Sequence, residues 1–247
     1  MLVTTPHQDH SATDLPRTGP ATEPAAELAL LRGDFEVHLT VGAEAADALA
    51  AWAEEHGVKF VHILLARGSA ASQPMLTLRA SGSYTEVLAE TRRTARRLAA
   101  DGFTVLRAKV ESVPWAEGVP ASDADAARFG AARYFEHHVK LLVPEGAATD
   151  GLAELAVRHA AHLSRNARRV RPDGVREQFV TQRCRLVGSE TAAARLDALL
   201  ADLTAAGHQV ASAEREFVAL DSDETLDAGW IDEVAAVAKV AAVSTAA

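Results

Sequence analysis

Two stretches of this chain set acid–base side chains on an alternating pattern: Phe35–Val41 reads FEVHLTV and Phe135–Leu141 reads FEHHVKL. Successive side chains of an extended strand point to opposite faces. Phe35, Val37, Leu39 and Val41 thus share one face, and Glu36, His38 and Thr40 the other. In the second stretch Glu136, His138 and Lys140 take the polar face, while His137 falls on the apolar one. A carboxylate two places from an imidazole can orient the ring, and imidazole is the side chain whose ordinary pKa suits proton exchange near neutrality. His38, His138, Glu36 and Glu136 are therefore the catalytic candidates.

The same run of elements follows each stretch. In the first half these are an amphipathic AEAADALAAWAEEHG, strands KFVHILLARG and MLTLRASG, a helix SYTEVLAETRRTARRLAADG, and a closing strand FTVLRAKVES. Ser83 reads as the helix N-cap, Glu86 as its capping-box partner and Gly102 as its end. The second half gives a helix GLAELAVRHAAHL, a strand around SRNARRV before the turn RPDG, a strand EQFVTQRCRLVG, a helix SETAAARLDALLADLTAAG and a strand HQVASAEREFVAL. Superposing the halves sets Thr77 over Thr181, Arg79 over Arg183, Gly102 over Gly207, Lys109 over Glu214 and Glu111 over Glu216.

The expected fold is α+β, a tandem duplication of ferredoxin-like β-α-β-β-α-β units forming a pseudo-dimer. Residues 1–33 read as a disordered arm with a helical turn in AAELALL, 34–113 as the first unit and 114–132 as a linker packed through Trp115 and Phe129. The second unit takes 133–232 and a C-terminal tail 233–247.

Helices cover one face of such a sheet. Leu106, Ala108 and Val110 take that face, leaving Arg107, Lys109 and Glu111 on the other. Should the two polar faces meet, they enclose a cleft with Thr40, Lys140, Thr77, Arg79, Lys109, Thr181, Arg183 and Glu216 as substrate-binding candidates. Arg79, Arg183 and Lys109 would hold negative charge, and Glu36, Glu136 and Glu216 would orient the imidazoles. The competing explanation is a sheet face that is polar because it meets water.

The HLT of His38–Thr40 is an HxT motif that puts imidazole and hydroxyl on one strand face about 7 Å apart. It resembles the two-histidine phosphoesterases, a family of two pseudo-symmetric lobes that each bring one HxT or HxS motif to a central cleft. The resemblance implies that one histidine is general base and the other general acid, with hydroxyls holding the phosphate. His38 and Thr40 match the first motif and His138 the second histidine; Lys140 stands where the second hydroxyl should be. The leading function is a small-molecule enzyme acting on an anionic metabolite, and the resemblance implies a phosphorylated one.

Glu36 with His38, Glu136 with His138, and Glu214 with Glu216 also offer ligands for Mg, Mn or Zn at strand spacing. The cations beside them favour ion pairing, so no metal residues are assigned and no cofactor is expected; a divalent-metal enzyme ranks behind. A non-catalytic ligand-binding or assembly module is the alternative from another class.

A net charge of −9 argues against a general nucleic-acid partner. The single cysteine, Cys184, precludes an intramolecular disulfide and fits a reducing compartment. No apolar run is long enough for a membrane helix, and MLVTTPHQDH lacks a basic start followed by an apolar stretch. The expectation is a cytoplasmic monomer or homodimer whose partner is a small anionic ligand. His159 and His162 read as helix-end residues, the arginines of LSRNARRVRP as a solvated turn, and Trp230 as packing on the sheet edge.

Overall fold

A computed structural model of the chain describes residues 26–144, 150–167 and 174–230. The first half contains β1 (Arg32–Val41), α1 (Ala46–Glu55), β2 (Lys59–Leu65), β3 (Ser72–Ser83), α2 (Tyr84–Ala100) and β4 (Val105–Ser112). A connecting helix α3 (Asp123–Phe129) leads to β5 (Tyr134–Pro144), α4 (Asp150–Arg158), β6 (Ala161–Asn166), β7 (Val175–Arg185), α5 (Ser189–Ala205) and β8 (Gln209–Asp221). The fold is mixed α+β and its strands are antiparallel throughout.

Both halves use one strand order, β4-β1-β3-β2 and β8-β5-β7-β6, and join edge to edge through β4–β8 and β2–β6 into a closed eight-stranded barrel. Closure gives each described strand a neighbour on both sides, through short pairings at Ile63–Leu65 and Lys109–Ser112. Two apolar layers lie between the barrel wall and the helices. Val37, Leu39 and Val110 pack with Leu49 and Trp52 of α1 and Val87 and Leu98 of α2. Val139, Leu141 and Val180 pack with Leu152 and Leu155 of α4 and Leu196, Leu199 and Leu203 of α5. Alternation then turns the polar side chains of these strands toward the barrel axis. The polar faces enclose one interior because the sheets share edges, a pairing that strand periodicity does not announce.

Local signals hold where they are strong. Ser83 accepts from the Glu86 N–H while the Glu86 carboxylate accepts from the Ser83 N–H at 2.9 Å. Gly102 and Gly207 follow α2 and α5 at φ +89° and +82°, a region that a side chain would strain.

Elsewhere the elements differ from the sequence expectation. Helix α4 ends at Arg158 and β6 starts at Ala161, after Ala160 at φ +52°, so His162 stands on a strand. Pairing of Ala161–Ser164 with β7, together with burial of Ala161 in the second core and packing of Leu163 against it, outweighs the helical preference of that alanine-rich run. The first three residues of the RPDG turn and part of the arginine run lie outside the described residues. The linker holds α3, capped by Ser122 and Asp125, and its Phe129 meets Phe217 edge-on at 5.6 Å. Trp115 is 70% exposed, with the Arg215 guanidinium 5.7 Å from its ring.

At the N-terminal side a 3-10 turn, Ala26–Leu30, buries Leu28, and Leu31 is also buried, so packing begins ahead of residue 34. The rest of the expected arm, 1–25, lies outside the described residues, as does the expected tail. After β8 the chain turns through Glu224–Asp227 to Trp230, whose indole N–H donates to the Leu163 carbonyl at 2.9 Å. Among the described residues no helix is long and apolar enough to cross a membrane.

Candidate active site inside the barrel

One end of the barrel interior is closed by ion pairs. Asp227 Oδ1 accepts from Gln73 Nε2 at 3.0 Å and Arg107 Nη1 at 3.1 Å, and Oδ2 accepts from Arg107 Nη2 at 3.0 Å and from Arg183 Nη2. Asp221 accepts from Arg107 Nε and from the Tyr134 hydroxyl, each at 2.7 Å. Arg183 Nε donates to Glu136, and Lys109 Nζ spans Glu136, at 2.6 Å, and Glu111. These groups are all buried, so each charge relies on its partner. Burial by itself would raise the Asp221 and Asp227 carboxyls, but Arg107 beside the first and Arg183 with Arg107 beside the second hold both below the usual carboxylate range.

The histidines sit between that end and solvent. His38 Nδ1 lies 3.0 Å from Thr77 Oγ1 and its Nε2 3.0 Å from Glu111 Oε2, with Glu36 at 3.8 Å. His138 repeats the arrangement: Nδ1 is 3.0 Å from Thr181 Oγ1, and Nε2 is 3.2 Å from both Glu136 and Glu216. Strand register accounts for the repeat, since His38 faces Thr77 across β1–β3 and His138 faces Thr181 across β5–β7.

Glu111 links the halves. Besides touching His38, it offers a carboxylate oxygen within 4.8 Å of a His138 ring nitrogen and a Glu216 oxygen. Burial opposes charge on His138, but Glu136 and Glu216 outweigh it and raise its pKa to about 10. Burial likewise opposes ionisation of Glu111 and Glu136; Lys109 with His38 holds the first well down, and Arg183 with Lys109 the second. Glu216 is pushed up, first by burial and then by the Glu111 charge.

Exposure rises toward the other end. Side chains of Arg107 and Asp227 are 6% and 3% exposed, those of His38 and His138 18% and 27%, and that of Arg79 82%. One side of the interior also has an apolar wall, which in the first half runs from beside the imidazoles toward the closed end. Phe60 packs into the helix-side core, which leaves Lys59, Val61 and Ile63 of β2 facing inward, and Lys59 Nζ is 3.5 Å from Glu36. Val61 pairs with Met75, and Phe179 pairs with Lys140, whose Nζ is 5.5 Å from the ring centroid. Val61, Ile63, Met75 and Phe179 are all half-buried, an unusual state for apolar side chains inside a barrel unless the space beside them is wet.

Of the candidates from sequence, Glu36, His38, Thr77, Lys109, Glu136, His138, Thr181, Arg183 and Glu216 come together. Arg79 stands at the rim, 3.2 Å from Glu36. Thr40 is buried in register with Met75 and Arg107, one step from the imidazoles, so the hydroxyls that meet the rings are those of Thr77 and Thr181. Lys140 lies 3.8 Å from Glu177. Glu214, at the surface, does not join Glu216. Sequence reasoning missed Glu111, Arg107, Tyr134, Asp221 and Asp227 as site residues. Alternation had placed Glu111 on the polar face, and the superposition had matched it to Glu216; those two signals together single it out. The out-of-place His137 is accommodated on the helix side, its Nδ1 3.0 Å from Gln182 Oε1.

Comparison with known proteins finds no family model and no curated protein that matches this chain. The chemistry of the mouth therefore has to be argued from its own residues.

Proposed function

We propose that the protein is a small-molecule enzyme built from two duplicated ferredoxin-like units, with His38 and His138 handling protons at the open mouth of the barrel. The observation that carries this reading is that both imidazoles, one from each half, flank a single buried carboxylate, Glu111, within reach of solvent. A structural ion-pair network has no need to hold two imidazoles beside a half-buried apolar wall, whereas a ligand with a polar reacting end and an apolar body fits both surfaces.

The deep cations support anion binding less than their number implies. Arg107, Arg183 and Lys109 are each spent on carboxylates, so an anionic group entering the mouth would meet Arg79, Lys59 and Lys140 at its rim. The likeness to two-histidine phosphoesterases then rests on the paired imidazoles, with Thr77 and Thr181 orienting them through Nδ1 in place of a hydroxyl two residues along the same strand. Phosphoester cleavage is one reaction that such a pair serves; removal and return of a proton at another heteroatom is the class to which it belongs.

The test is a metabolite screen by thermal shift and ligand-observed NMR on the full chain, His38→Ala and His138→Ala. A compound that binds and is converted by the wild type, and whose conversion both variants lose while still folded, supports the reading. Binding and conversion indifferent to both histidines would overturn it, and binding without conversion would make the protein a ligand-binding module.

A further inference from the structure

The charges of the interior do not balance. Five buried or half-buried acids, Glu111, Glu136, Glu216, Asp221 and Asp227, face three permanent cations, Arg107, Lys109 and Arg183. Glu36 does not add to the deficit, because Lys59 and Arg79 meet it from the rim. Two further positive charges would balance them, and either protons, such as the one that Glu136 and Glu216 hold on His138, or one divalent cation can supply them.

The shortfall is concentrated in one place. Glu111 on β4, His138 on β5 and Glu216 on β8 each turn a ligand atom to within 4.8 Å of the others. Glu111 is 1% exposed; its Oε1 and the Oε2 of Glu216 are buried and accept no hydrogen bond, although Lys109 and His138 lie in ion-pair contact with them. Thr181 at Nδ1 directs His138 Nε2 to the acids, the kind of outer contact that orients metal-binding imidazoles. The acids and the ring come from three strands, so the spacing within any one strand does not reveal them.

We infer that Glu111, His138 and Glu216 bind one divalent transition-metal ion. Two carboxylates and an imidazole suit Mn²⁺ or Zn²⁺ better than Ca²⁺, which prefers oxygen alone. Ligand atoms around a tetrahedral ion with bonds of about 2.1 Å stand about 3.4 Å apart, so His138 and Glu216, which keep some exposure, move inward to close the site. On binding, the Nε2 proton of His138 passes to solvent, and Lys109 keeps its contact with Glu136. This inference deepens the proposal of an enzyme in the same mouth. The ion would supply the positive charge for an anionic ligand that the committed arginines withhold; His138 would then act as its ligand and not as a proton carrier, leaving that role to His38.

The experiment is titration of the chelator-treated full chain with Mn²⁺, followed by the loss of the free-ion EPR signal, and with Zn²⁺ by calorimetry. One ion per chain is expected. Glu216→Gln and His138→Gln should each weaken binding by tenfold or more, while Glu54→Gln, on the exposed face of α1, leaves it unchanged. Pulsed EPR of Mn²⁺ on the wild type should show nitrogen coupling from one imidazole, a readout that does not depend on the variants folding. No saturable binding up to millimolar metal, or bound Mn²⁺ without nitrogen coupling, overturns the inference. Either result leaves the histidine-dependent conversion standing, because that is measured separately with metabolites and His38→Ala.

Discussion

Asp227→Asn should be the most damaging single-atom-scale change in the barrel. The carboxylate is 3% exposed and accepts four hydrogen bonds, from Gln73, twice from Arg107 and once from Arg183. An asparagine keeps one acceptor oxygen and turns an NH₂ against guanidinium N–H groups, leaving buried N–H donors of Arg107 and Arg183 without an acceptor. Breaking a buried pair in this way costs about 3–5 kcal/mol. Arg107 retains Asp221 and Arg183 retains Glu136, which places the expected loss near the lower end, about 3 kcal/mol. With a urea m-value of about 2 kcal/mol/M, the unfolding midpoint falls by about 1.5 M. Circular dichroism during urea titration reads this directly, and because the pairs are buried, added salt should restore little of it. A midpoint within about 0.3 M of wild type would refute the claim that Asp227 neutralises the closed end.

Acid should act on the same groups. Asp221 and Asp227 have folded pKa values below their unfolded ones, so their contribution is full above an unfolded pKa of about 3.9 and is lost as pH falls through the lower folded values. Thermal melts between pH 6 and pH 2 should show melting temperature falling most steeply at the acid end, and Asp227→Asn should flatten that fall. Ser83→Ala removes the α2 cap and its reciprocal bond with Glu86, at a cost of about 1 kcal/mol by denaturant titration. Leu39→Ala, at a side chain with no exposure in the first core, should cost about 2–5 kcal/mol while leaving metal and ligand binding intact in the folded fraction.

The parts legible in the sequence are those governed by local rules. Alternation in FEVHLTV and FEHHVKL placed the histidines on the inner face, and a capping box with a closing glycine marked α2. The repeat showed that the halves share an element order. Barrel closure was not legible, because β4–β8 and β2–β6 join strands from opposite halves, and no pattern within either strand names its neighbour. The end of α4 was misplaced because no glycine marks it: Ala160 takes positive φ without one. Helix α3 did carry a signal, Ser122 three places before Asp125, in a stretch too short and alanine-rich to show an apolar stripe. Asp227 had no signal at all; its role follows from where the turn after β8 comes to rest.

The central claim, that one site joins the two halves through Glu111, is tested most directly by long-range ¹H–¹⁵N spectra of the histidine rings. In His38→Gln, loss of the ring that contacts Glu111 should move the ring-nitrogen resonances of His138, which belongs to the other half, and leave those of His159, paired to Asp202 on the surface, in place. Ring nitrogens of His138 that stay where they are in the wild type would contradict the account.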